Sequence, residues 1–223
     1  PLALAAAWQD EQDRATAAEA ARSGVAAPVP AALSEDRAGA RLALLSIALS
    51  HATMVAVMAM TPVHLTDHGA SLVIVGFTIS LHIAGMYALA PLFGILSDRL
   101  GRRPTILLGQ GMLLASLVMT GFGAESEGWV VAGLIFLGLG WSASTVAGSA
   151  LLTESAAPAR RPIVQGRSDL LMSGSGAVGG ALAGPLLAGL GYSGLSFVTM
   201  ALVGVVLSAL IVSPRGVRPA NRG

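Results

Sequence analysis

Two histidines, His51 and His82, lie deep inside apolar stretches of this 223-residue chain, and one carboxylate, Asp98, borders three arginines, Arg99, Arg102 and Arg103. These residue types are where chemistry can occur. Histidine titrates near pH 6.5 in water, at about the pH where protons are exchanged in cells. Asp98 beside arginines offers an ion pair that can be made and broken. A second acidic-basic group, Glu154 followed by Arg160 and Arg161, repeats the theme, and Asp169 stands next to Ser168. There is no cysteine, which removes disulfides, thiolate metal sites and cysteine nucleophiles. No catalytic residue, metal site or cofactor is expected, and the chain does not read as an enzyme.

The elements that must position these groups are apolar. The chain is 54% hydrophobic and 11% charged, against about 25% charged residues in soluble domains. Six apolar segments, 42–63, 71–97, 104–124, 128–152, 170–190 and 192–213, contain no Arg, Lys, Asp or Glu. A helix rises 1.5 Å per residue and crosses the hydrocarbon layer in about 20 residues, so each segment is long enough. A membrane barrel would show about 10-residue alternating segments instead. The expectation is an all-α membrane protein of six transmembrane helices over 41–214, a cytoplasmic connector over 1–40 and a cytoplasmic tail over 215–223. The connector carries charged, alanine-rich and Pro/Ala-rich stretches. A secretory signal does not fit residues 1–20, which include acidic residues and lack a sustained apolar run.

Arginine placement sets orientation. Arg41 precedes the first segment; Arg99, Arg102 and Arg103 lie between the second and third; Arg160, Arg161 and Arg167 lie between the fourth and fifth; Arg215, Arg218 and Arg222 follow the sixth. The alternate connections hold His64, Asp67 and His68, then Glu125 and Glu127, then no charge. Both termini are therefore expected to be cytoplasmic in a multi-pass protein of a bacterial inner membrane. All 13 basic residues are arginine, which reads as the coding bias of a GC-rich genome. The near-neutral charge and lipid-like composition leave no expectation of nucleic acid as a partner.

The run Gly94-Ile-Leu-Ser-Asp98-Arg99-Leu-Gly101-Arg102-Arg103-Pro104 forms a tight hairpin between two of these spans. Asp98 lies at a helix C-terminus, where the macrodipole disfavours a carboxylate, so it needs a cation. Arg102 and Arg103 come within reach after a turn at Gly101, and Pro104 suits the first turn of the next helix. Gly94 reads as room for a neighbouring helix. The run resembles the loop signature of the major facilitator superfamily, G-x-L-a-D-r-x-G-r-[RK]. That resemblance implies twelve helices in two six-helix halves, each of inverted three-helix repeats, with this loop in a cytoplasmic gate. It gives Gly94, Asp98, Arg99, Gly101, Arg102 and Arg103 the gating role, with Glu154 and Arg161 joining the network; an ordinary solvated loop is the other reading of that last pair.

Because the chain opens on Pro1, it is expected to be a piece of something longer. The Pro/Ala-rich lead and the absence of an arginine from the fourth helix favour the C-terminal half, with the N-terminal six-helix half of the same transporter as partner. In the superfamily the first helix of each half lines the cavity, which favours His51 over His82 for proton coupling; a neutral histidine bonded to a helix carbonyl is the alternative for both. His51 lies ten residues after Arg41, roughly 15 Å deep. Met54, Met58, Trp141, Ser144 and Thr145 are cavity candidates, or core for the methionines, which pack adaptably. Asp169 is either an N-cap or a proton carrier. Gly176, Gly180, Gly184 and Pro185 suggest a close-packing groove and are reminiscent of a fifth-helix motif of drug antiporters.

The expected function is proton-coupled export of a small organic, drug-like solute by alternating access. A non-transporting membrane scaffold or sensor is the alternative. An aquaporin-type channel would need two Asn-Pro-Ala half-helices, and Asn221 is the sole asparagine. A rhomboid-type protease is not supported by Gly174-Ser175-Gly176, because all four histidines precede that serine.

Overall fold

A computed structural model describes residues 36–212. Residues 1–35 of the expected connector over 1–40, and the expected tail over 215–223 with Arg215, Arg218 and Arg222, lie outside the described residues. Those described are helical apart from short turns: α1 (Arg37–Asp67), α2 (Leu72–Tyr87), α3 (Ala90–Leu100), α4 (Arg102–Phe122), α5 (Glu127–Ser155), a single 3-10 turn at Pro158–Arg160, and α6 (Arg161–Val212). Five helical stretches, with Leu72–Leu100 taken as one, are long and apolar enough to cross a membrane.

Several boundaries differ from the sequence expectation, each for a local reason. α1 starts at Arg37, ahead of 42, because Asp36 caps it: its carboxylate accepts from the Gly39 N–H at 2.9 Å. The stretch 71–97 is not one continuous helix but breaks after Tyr87. Pro91 lacks the N–H that would bond the Tyr87 carbonyl, and its ring crowds that carbonyl, so the turn between α2 and α3 opens. α3 then runs to Leu100, which puts Asp98 in its last turn. Gly101 reverses the chain in one residue, at φ 101° and ψ 161°, a conformation that favours glycine.

Gly191 matters more. It is the non-helical residue of α6, at φ 70° and ψ 178°, with Arg161–Leu190 before it and Tyr192–Val212 after it. The two arms fold back on each other. Val164 from the first and Ala209 and Leu210 from the second pack on one cluster of Leu42, Ile106, Leu151, Leu152 and Val206. An unbroken helix would hold Val164 and Leu210 about 70 Å apart.

α5 is the centre of the bundle and touches every other helix. Backbones meet where side chains vanish: a Cβ at Gly140 would lie 2.7 Å from Leu113 N and 2.8 Å from Gly109 O, so α4 and α5 cross in direct contact. The first arm of α6 crosses α1 in the same way, a Cβ at Gly179 falling 2.7 Å from Ala52 O. α1 and α5 are mostly enclosed, whereas α2, α3 and α6 expose long apolar faces that include Leu72, Phe77, Leu92, Leu170 and Val178.

Gly191→Ala is expected to cost about 1–3 kcal/mol, the strain of a side chain held at that backbone angle. The readout is the apparent melting temperature of the chain in detergent. A melting temperature equal to that of the wild type would show that the reversal does not depend on glycine.

Candidate functional site: an arginine gate and a mid-depth histidine

At one end of the bundle Arg102 joins three helices. Its Nη1 donates to Asp98 Oδ1 at 2.5 Å and to Ser97 Oγ at 3.0 Å, both on α3. Its Nε and Nη2 both donate to Glu154 Oε1 on α5, at 2.9 and 2.6 Å. Only the planar guanidinium fork reaches all of these at once. Arg102 is about one-fifth exposed while Asp98 and Glu154 are more than half exposed, so the network sits at a wet surface and each pair is screened. Burial and the two carboxylates thus meet at Arg102, the first residue of α4, directly after its N-cap Gly101.

Arg161 lines the adjoining cleft with Arg102, Ser149, Ala150, Thr153 and Glu154, but its guanidinium makes no hydrogen bond or ion pair among the described residues. Arg103 has a partner of its own. The expected room for a neighbour at Gly94 is not used among the described residues: a Cβ there meets nothing within 4 Å.

The second feature lies half-way along the helices. Trp141 Nε1 donates to His51 Nδ1 at 3.0 Å, joining α5 to α1. Indole is a donor only, so Nδ1 must be the acceptor and the proton of the neutral imidazole sits on Nε2. Nε2 faces the first arm of α6, where a Cβ on Gly176 would lie 2.8 Å from it. Met54 and Trp141 belong to one apolar cluster, against which Met58 packs.

The remaining candidates fall elsewhere. His82 is fully buried, and its Nδ1 donates to the Leu134 carbonyl at 2.8 Å, tying α2 to α5. Ser144 faces α4 rather than His51, accepting from Gln110 Nε2 at 2.9 Å. Thr145 Oγ1 is buried with no partner among the described residues. Asp169 is not an N-cap: α6 begins at Arg161, and Asp169 is an exposed interior residue that accepts from Gln165 Nε2 at 3.1 Å. The close-packing groove also shifts. Gly176 does meet α1, but Gly179 makes the backbone contact, Gly180 is in ordinary contact with Val55, and Gly184 faces open space. Pro185 lies inside the first arm, and the chain reverses at Gly191 instead.

Sequence reasoning missed two polar groups. Gln110, fully buried in α4, donates to Ser50 Oγ at 2.8 Å and to Ser144 Oγ, linking α1, α4 and α5. Its signal in the sequence is an amide inside an apolar span. At the opposite end from Arg102, the Tyr192 hydroxyl shares a 2.7 Å hydrogen bond with Thr61, and its ring stacks on His64 at 4.2 Å. Nothing local to Tyr192 announces that pairing, because the reversal at Gly191 creates it.

The sequence profile described as Major Facilitator Superfamily matches residues 42–223. The chain belongs to that superfamily. It is 41% identical over 150 residues to an uncharacterized MFS-type transporter, YddS, of Bacillus subtilis (strain 168), covering 67% of this chain and 34% of the relative. YdeG, an uncharacterized MFS-type transporter of the same organism, is 40% identical over 151 residues, covering 67% and 35%. The riboflavin transporter RfnT of Brucella anthropi is 32% identical over 135 residues, covering 60% and 34%. The chain thus matches about a third of the length of these relatives. All three of these relatives carry names that describe transporters.

A double-mutant cycle on Arg102→Ala and Glu154→Ala is expected to give a coupling of about 0.2–1 kcal/mol in detergent at low salt, shrinking as salt rises toward 1 M. Zero coupling at low salt would show that the Arg102–Glu154 contact contributes nothing to the fold.

Proposed function

We propose that this chain is the C-terminal six-helix half of a bacterial secondary transporter, coupling proton movement to export of a small organic solute by alternating access. The observation that supports the reading best is Arg102, which holds Asp98 of α3 and Glu154 of α5 in one network at the end of the bundle. Asp98 and Arg102 belong to the run that carries the superfamily's loop signature. In the proposed cycle that end is cytoplasmic, and the network closes while the solute site faces outward and opens when the halves rock apart. Breaking ion pairs of this exposed kind costs little, which suits a gate that must cycle.

The six-span count takes the two arms of α6 as separate crossings that reverse at Gly191. The exposed apolar faces of α2, α3 and the first arm of α6 would meet lipid or the N-terminal half. Both termini, with the connector and tail, would then be cytoplasmic.

His51 is the proposed proton carrier, because it lies mid-span and is only partly buried, whereas His82 is fully buried between helices. The ring of His51 already carries a proton on Nε2, so a second must land on Nδ1. That nitrogen is occupied by the Trp141 indole donor, and two N–H groups cannot face each other. Protonation therefore expels the indole and loosens α5 from α1 at mid-depth.

The test is solute-driven proton movement in proteoliposomes containing the full-length transporter. His51→Ala should abolish it while leaving membrane insertion intact; unchanged coupled flux would sink the proposed role. Trp141→Phe removes the donor that favours neutral His51. The flux profile should then move toward higher pH by about half to one unit, the worth of one hydrogen bond. A profile that does not move would show that the indole has no hold on the proton.

A further inference from the structure

Gln110 is out of place. It is the one amide side chain between Arg37 and Ser155, and it is fully buried near the middle of α4. Its Nε2 donates to Ser50 Oγ of α1 at 2.8 Å and to Ser144 Oγ of α5 at 2.9 Å. Both serines are buried as well. α1 and α4 meet at few other points, so this amide supplies a polar link between them.

Net stability does not account for it. Gln110 Oε1 is buried with no partner among the described residues, and a buried orphan acceptor costs about as much as two neutral hydrogen bonds return. Close approach of α4 and α5 is already provided by Gly109 and Gly140. A methionine, unbranched and of similar length, would fill the same space without an orphan. What the amide adds is register. Ser50 directly precedes His51 on α1, and Ser144 stands three residues, about 4.5 Å, beyond Trp141 on α5. The amide and the ring pair therefore cross-link the same two stretches of helix. Trp141 Nε1 reaches His51 Nδ1 at 3.0 Å, and a slip of about half an ångström along that line carries it past hydrogen-bonding range. Gln110 holds both helices from a third and removes that slack.

We infer that Gln110 is a positioning residue for His51: by tying Ser50 and Ser144 to α4, it holds α1 and α5 in the register at which the Trp141 indole occupies His51 Nδ1. The inference rests on the reading of His51 as the proton carrier and adds the residue that sets how readily Nδ1 takes a proton. Gln110 acts through the ring pair and carries no proton itself. Loss of the tie lets the indole drift, leaves Nδ1 open and moves protonation to higher pH.

The test uses the full-length transporter in lipid nanodiscs, labelled with 5-fluorotryptophan and followed by fluorine NMR. The Trp141 resonance is identified by its loss in Trp141→Phe, and its pH titration is assigned to His51 by its loss in His51→Ala. Gln110→Met should move the titration midpoint to higher pH by about half to one unit, the worth of the indole hydrogen bond. Ser50→Ala and Ser144→Ala should each move it the same way, and the two together no further than Gln110→Met, because one amide carries both ties. Ile106→Ala, which empties a buried apolar site one turn before Gln110, should lower the melting temperature and leave the midpoint in place. A midpoint that Gln110→Met leaves unmoved, an equal shift in Ile106→Ala, or a resonance that does not titrate between about pH 5 and 9 would each overturn the inference. A midpoint that follows Gln110 while solute-driven proton movement survives His51→Ala would reject the carrier reading and leave the hold of Gln110 on the ring pair standing.

Discussion

The structure depends on how closely α5 is allowed to approach its neighbours. Gly140 meets the α4 backbone at Gly109 and Leu113, Gly138 meets the α2 backbone at His82, and Gly148 meets Ile47 of α1. In lipid no hydrophobic effect drives helices together, so contact at the backbone and a few interhelical hydrogen bonds must do it. The polar groups lie where these crossings bring them. Gln110 reaches Ser144 one turn beyond the Gly109–Gly140 contact, and His82 reaches Leu134 beside Gly138. Trp141 directly follows Gly140, so the same crossing that seats α5 on α4 turns its indole toward His51.

Such a bundle leaves few polar side chains unanswered, and the exceptions are informative. Seven buried side-chain atoms have no partner among the described residues, and His82 Nε2, Gln110 Oε1 and Thr145 Oγ1 are three of them. All three belong to side chains that hold or adjoin a helix crossing. An unmade hydrogen bond in low dielectric costs more than a neutral one contributes when made.

What could be read in the sequence follows from the kind of signal involved. Apolar length placed the helices, since a span needs about 20 residues whatever its packing. The hairpin residues Asp98, Gly101 and Arg102 were legible because a local turn brings them together. Glu154 was legible only through the resemblance, as its partner is 52 residues away in the chain. Other features depended on chemistry that periodicity does not record. Pro91 divided an expected single helix, Asp36 lengthened another, and an extension of α6 back to Arg161 turned the supposed cap Asp169 into an interior residue. The pairing of His51 with Trp141 needed the crossing angle of two helices, which no spacing along either one contains.

On the proposed reading, α5 carries both working parts on one rigid body. Trp141 and Glu154 are thirteen residues apart on it, about 20 Å along its axis. The first is held by His51 of α1 and the second by Arg102 of α4. A helix of this length does not compress, so any shift of α5 against α1 at mid-depth must be shared by its end. Protonation at His51 Nδ1 removes the upper tie, and opening of the arginine network removes the lower one. Each event weakens the hold of α5 on its surroundings and so makes the other less costly. Coupling then needs no wire of residues between the two sites, only a stiff helix fastened at two points whose fastenings respond to different signals.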